Sequence, residues 1–224
     1  MFYDQTFILL IPAMLLTFFA QWKVKSTFAR YAEVPASRRL SGAEAARELA
    51  RRNRVPVAVE PTPGSLTDHF DPQRDVLALS EPVYHGRSVA ALGVAAHELG
   101  HALQKANHYW PLKLRSGLVP LANFGNGAGM LLLFGGLFLG IKPLLNLGIL
   151  IFSAVVLFSL VTLPVEFDAS RRALVVLRES GMVTNDEASG VKAVLGAAAL
   201  TYVASALMAV THLIRYLLIA QSRD

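Results

Sequence analysis

Four stretches of this chain are apolar and nearly free of charge over lengths that approach or reach the ~20 helical residues needed to cross hydrocarbon. They are residues 6–22, a short one, residues 118–141 and 144–165, both strong, and about 193–219. Inside a bilayer every backbone polar group has to be paired within the protein, so runs of this kind are restricted to helices. The fourth run alone carries ionisable residues, His212 and Arg215, near its far end, where a long side chain can snorkel to the headgroups. The sequence therefore predicts an α-helical integral membrane protein with about four transmembrane helices. The first run has no Lys or Arg before it and no small-residue cleavage pattern after it, so it is expected to stay as an anchor.

Charge fixes the expected orientation. Of 21 Lys and Arg residues, 14 fall between Lys23 and Arg115, and Arg171, Arg172, Arg178 and Lys192 follow the third run. Cytoplasmic loops collect such residues, so both large loops are expected in the cytoplasm and both termini outside. The same topology accounts for the net charge of +5 without a nucleic-acid partner. With no cysteine in the chain, disulfides and thiolate ligands are excluded.

Residues 23–117 are the one stretch long enough for a polar lobe, and their pattern mixes α and β. Ser41-Gly42-Ala43-Glu44 reads as a capping box that opens an amphipathic helix running to about Arg52. Val55–Val59 reads as a strand whose Pro56 suggests an edge or a strand start, Pro61–Gly64 as a turn and Val76–Leu79 as a second strand, a sheet edge just before the next helix. Ser80-Glu81-Pro82 punctuates, and a helix follows from about Ser88 to Lys105. In the second apolar run, Gly125, Gly129, Gly136 and Gly140 form two G-x-x-x-G pairs. These suit either close helix approach or ordinary glycine usage in a membrane helix. A homo-oligomer or a membrane partner protein stays open.

The helix from Ser88 carries His97-Glu98-Leu99-Gly100-His101, an H-E-x-x-H sequence among good helix formers. Residues four apart share a helix face, so both imidazoles can reach a single Zn2+. Glu98 then stands beside the open position, where a general base takes the proton from the attacking water and hands it to the leaving amine. A catalytic zinc takes a third protein ligand, which has to lie on the same membrane face. Two crossings after His101 the chain returns to that face at Glu166, in Val165-Glu166-Phe167-Asp168, which makes Glu166 the first candidate and Asp168 the next. Asp168 is read equally as an imidazole-orienting group or as an exposed acid. His212 falls toward the opposite face, and His108 and His85 read as surface residues. His69, between two acids in Asp68-His69-Phe70-Asp71, is left open between a surface residue and a donor to the developing oxyanion.

Several blocks resemble the YugP-like neutral zinc metallopeptidases of bacterial membranes. They include Asp4–Pro12, Lys25–Phe28, Leu66–Pro72, Ala95–Gln104, Pro111–Arg115 and, most specifically, Val161–Ala173. The resemblance implies a membrane zinc peptidase with His97, His101 and Glu166 as ligands of one Zn2+ per chain. The arrangement is also similar to the HtpX-type membrane proteases, which place two spans between H-E-x-x-H and a glutamate ligand. Those carry an aspartate four residues after the glutamate; here that position is Ser170, and the acid stands at Asp168.

The expected architecture is an anchor (1–22), an α+β zincin-like cytoplasmic lobe (23–117), a transmembrane helical pair (118–165), a cytoplasmic segment with the third ligand (166–192) and a C-terminal transmembrane helix and tail (193–224). The expected activity is hydrolysis of peptide bonds in membrane-associated protein substrates. The rival reading is a zinc-stabilised membrane scaffold or adaptor without turnover.

Overall fold

A computed structural model describes residues 5–222; the extreme termini, on which part of the expected orientation falls, lie outside the described residues. The chain is mostly helical, with one small sheet, and its elements run α1 (Leu10–Ala32), α2 (Gly42–Arg52), β1 (Ala58–Thr62), β2 (His69–Asp71), β3 (Val76–Ser80), α3 (Glu81–Tyr84), α4 (Val89–Ala106), α5 (Trp110–Phe124), α6 (Met130–Leu139), α7 (Lys142–Glu179) and α8 (Asn185–Gln221). A 3-10 turn, Gln5–Leu9, leads into α1, and a π-helical turn, Gly125–Gly129, joins α5 to α6. Among the described residues, four helical stretches are long and apolar enough to cross a membrane: Thr6–Ala32, Trp110–Leu139, Lys142–Glu179 and Asn185–Gln221. The chain divides into two compact units.

One unit comprises Met1–Gln21, Trp110–Pro164 and Thr201–Asp224. Its buried core is built from Leu133, Leu145, Ile149, Phe152, Ala209 and Tyr216. Glycine spacing decides how closely α7 approaches the α5–α6 segment. A Cβ on Gly136 would stand 2.3 Å from the Leu145 nitrogen, and one on Gly125 2.7 Å from the Val155 side chain. Gly140 serves differently: it ends α6 in the left-handed region, at φ 68°, which a residue without Cβ adopts freely. Large apolar side chains of this unit, among them Phe18, Leu131, Phe138 and Leu150, point outward.

The other unit comprises Trp22–Tyr109 and Val165–Leu200. Its α2 opens as the sequence predicts: Ser41 Oγ accepts from the Glu44 N–H, and Glu44 Oε2 accepts from the Ser41 N–H. The sheet has the order β1-β3-β2, with β1 parallel and β2 antiparallel to β3.

The sheet corrects three local expectations. The first strand begins at Ala58 rather than Val55, because the Val55 N–H is used to close α2 on the Ala50 carbonyl at 2.9 Å, and Pro56 has no N–H to give. Pro61 continues β1 instead of turning, which an edge strand tolerates since its missing donor faces away from β3. Val76–Ser80 is the central strand and not an edge; the edges are β1 and β2. Only three residues long, and with its one apolar residue between His69 and Asp71, β2 shows no alternation to read in sequence.

Helix α4 runs through the middle of this unit, with 14 of its 18 residues buried. Ser88 caps its start by accepting from the Ala91 N–H at 3.2 Å. Its apolar residues Leu92, Ala95, Ala96 and Leu99 pack with Leu77, Leu79, Leu49, Leu177 and Met182 into one core. A helix so enclosed positions its polar side chains rigidly.

Candidate metal centre

His97 and His101 sit one turn apart on α4, with ring centroids 4.8 Å apart and the planes nearly perpendicular. Glu166 enters from α7. Its Oε2 lies 3.2 Å from His97 Nε2 and 3.6 Å from His101 Nε2, so both rings present the same nitrogen to one carboxylate oxygen. The three side chains are 12%, 10% and 3% exposed, and their donor atoms all lie within 4.8 Å of one another.

What brings α7 this close is Gly100, the second of the two variable positions in the motif. An added Cβ there would stand 2.5 Å from the Ala169 carbonyl oxygen, far inside van der Waals contact. A side chain of any size at position 100 would hold α7 away, and Glu166 with it.

Two nitrogens and one carboxylate oxygen are the donor set of a catalytic zinc site. Bonds of about 2.0–2.1 Å in a tetrahedron put neighbouring donors about 3.3–3.4 Å apart. The 3.2 and 3.6 Å separations to Glu166 bracket that value and the remaining donor pair lies within 4.8 Å, so the trio could hold the ion.

Glu98 is buried beside the trio, and its electrostatic neighbours are His97, His101, Glu166 and Asp68. Burial pushes its carboxyl up from the ordinary range, against the lowering pull of the two histidines. That is the direction in which a general base becomes able to hold a proton in mid-reaction.

Behind the imidazoles lies a layer that the sequence does not announce. Ser170 Oγ is 3.2 Å from His97 Nδ1, at the position where the HtpX-type pattern has aspartate. Gln104 Oε1 is 3.1 Å from His101 Nδ1, while Gln104 Nε2 donates to the Val165 carbonyl at 2.7 Å and to Asp168 Oδ2 at 3.0 Å. Asp168 is buried rather than exposed. Its hydrogen-bond partners are Gln104, Arg171 and Arg172, so it reaches the imidazoles only through Gln104. The one sequence signal for Gln104 is its place three residues beyond His101, on the same helix face.

The remaining histidines stand apart. His69 is exposed on β2, with Nδ1 2.9 Å from the Thr67 carbonyl. His85 and His108 are exposed, and His212 belongs to the other unit, stacked on Tyr216.

Residues 6–221 match the model of the family described as "Putative neutral zinc metallopeptidase", so the chain belongs to that family of zinc peptidases. It is also 51% identical over 212 residues to a protein of Bacillus subtilis (strain 168) named "Putative membrane protease YugP", an alignment covering 94% of each chain. No solved structure matches the chain.

Proposed function

We propose that the protein is a membrane-spanning zinc endopeptidase in which His97, His101 and Glu166 hold one Zn2+ and Glu98 is the general base. The observation that carries this is the convergence of two Nε2 atoms and one carboxylate oxygen, drawn from separate helices, with a buried glutamate next to them in sequence. When bound, the ion supplies a Lewis acid for the scissile carbonyl and acidifies a water. The carboxylate of Glu98 would accept a proton from the attacking water and deliver it to the departing amine. Strand β2 offers an unpaired edge on which an extended peptide can be held by backbone hydrogen bonds. Lys105, at the end of α4, donates to the Pro72 carbonyl and to Asp75 Oδ1, both at 2.6 Å, and so ties the β2–β3 hairpin to the helix that carries the histidines.

The apolar helices and their outward-facing large side chains support residence in the bilayer. The basic residues support a cytoplasmic lobe made from residues 23–117 together with 166–192, in the bacterial inner membrane with both termini outside. Glu166 follows directly on the third apolar run, which favours substrates presented near the headgroups, such as segments or tails of membrane proteins.

Glu98→Gln tests the proposal against the scaffold reading. The variant is expected to keep its zinc and to lose turnover by about 10²–10⁴-fold. A proteolytic phenotype in cells that survives the substitution, with zinc retained, would favour the scaffold.

A further inference from the structure

We infer that Gln104 is a positioning residue that sets the tautomer of His101, placing the proton on Nδ1 and leaving the Nε2 lone pair for the metal; this rests on the zinc reading above. The argument begins with the amide. Its oxygen can only accept and its nitrogen can only donate, so its neighbours decide which end points where. One end faces the Val165 carbonyl at 2.7 Å and Asp168 Oδ2 at 3.0 Å. A backbone carbonyl only accepts, and Asp168, paired with Arg171 and Arg172, is held as a carboxylate that only accepts. That end of Gln104 is therefore the NH2 group, with both of its hydrogens used.

The other end is then Oε1, 3.1 Å from His101 Nδ1. An acceptor there requires Nδ1 to carry hydrogen, and a neutral imidazole has only one. Nε2 of His101, the atom turned toward Glu166, is left with a free lone pair. The flipped amide would set its oxygen against two acceptors and its NH2 against the ring. Gln104 is wholly buried at 0% exposure, so water cannot relieve that conflict. Unmatched buried polar groups cost about 1–3 kcal/mol each, which excludes the flip.

The same side chain links the two ligand-bearing helices. From α4 it grips the carbonyl of Val165, the residue before Glu166, and the acid two residues after Glu166. Arg171 and Arg172 anchor that acid, and Arg172 also lies over the Tyr109 ring at 5.5 Å. A chain of contacts thus runs from two guanidinium groups through Asp168 and Gln104 to one nitrogen of the ligand His101. Ser170 has no such power over His97, because a hydroxyl donates or accepts as required.

Two readouts on the purified full-length protein test this. Nitrogen-15 NMR of histidine-labelled, metal-free wild type, at a pH where imidazoles are neutral, is expected to show His101 protonated at Nδ1. Gln104→Met keeps nearly the same volume without hydrogen-bonding ability. It is expected to give a mixed tautomer and a 10–100-fold weaker zinc affinity by chelator competition, with helical content unchanged. Ser170→Ala is expected to weaken zinc by less. His101 protonated at Nε2 in wild type, or a Gln104→Met protein that folds and binds zinc as tightly as wild type, overturns the inference. Should Gln104→Met fail to fold, the wild-type spectrum decides alone. A wild type that binds no zinc contradicts the zinc reading itself and takes this inference with it, whereas zinc bound equally by wild type and variant contradicts the inference only.

Discussion

Gly100 meets the carbonyl of Ala169 so closely that a Cβ would lie 2.5 Å from its oxygen, and this contact lets α7 deliver Glu166 to the histidines of α4. Gly100→Ala forces one of two well-packed helices to move, at a cost of about 1–3 kcal/mol. The expected result is a lower Tm and a zinc affinity reduced at least about tenfold, since ligand separations leave the range a tetrahedral ion accepts. Gly93→Ala, whose nearest contact would be the Val191 side chain at 3.3 Å, is expected to have the smaller effect on zinc. Unchanged zinc binding in Gly100→Ala would show that the contact does not position the site.

Asp68 provides a pH signature. Its carboxylate accepts from the Ser80 N–H at 2.7 Å and from Ser80 Oγ, but burial dominates and raises its pKa above the ordinary aspartate value. A raised pKa means that the folded state binds the proton more tightly than the unfolded chain. Its contribution is thus fully present below the unfolded pKa and is lost as pH rises through the folded one. Asp68→Asn, which keeps an acceptor for Ser80, should therefore gain stability relative to wild type as pH rises from about 4 to about 7. Thermal melts of both proteins across that range check this; a gap that stays constant or closes would contradict it.

The edge role of β2 makes a demand on substrates. A peptide added as a strand depends on its backbone N–H groups, each worth about 0.5–1.5 kcal/mol net. Replacing one N–H that pairs with β2 by N-methyl is expected to lower kcat/KM by about 2–10-fold, whereas methylation one residue along, pointing away, is not. A scan along a cleaved peptide that shows no alternation would rule out strand addition.

Orientation can be read by labelling, because the chain has no cysteine of its own. Ile141→Cys, exposed at the junction between α6 and α7, is expected to react with a membrane-impermeant thiol reagent on intact cells. Gln73→Cys, exposed in the turn between β2 and β3, is expected to react only after permeabilisation. The reverse pattern would invert the assignment drawn from the basic residues.

What could be read in the sequence was local or countable. The Ser41–Glu44 box and the helix of His97–His101 are local signals, written in adjacent residues. Glu166 came within reach by counting membrane crossings rather than from any feature of its own. Hydropathy located the cores of α7 and α8 but not their ends. Helix α7 runs on to Glu179 and α8 begins at Asn185, because polar residues with good helix propensity continue a helix that apolarity no longer marks. Strand β2 was invisible since its pairing with β3 depends on a partner and not on its own composition. Gln104 and Gly100 were illegible as functional residues for the same reason: their importance lies in Val165, Asp168 and Ala169, more than 60 positions away in sequence.

Metal content of purified wild type, His97→Ala and Glu166→Ala, each checked for intact helical structure, addresses the site directly. One zinc per chain in wild type and its loss in both variants is the expected result. Full zinc retained by a folded Glu166→Ala protein would contradict the convergence of α4 and α7 on a single ion.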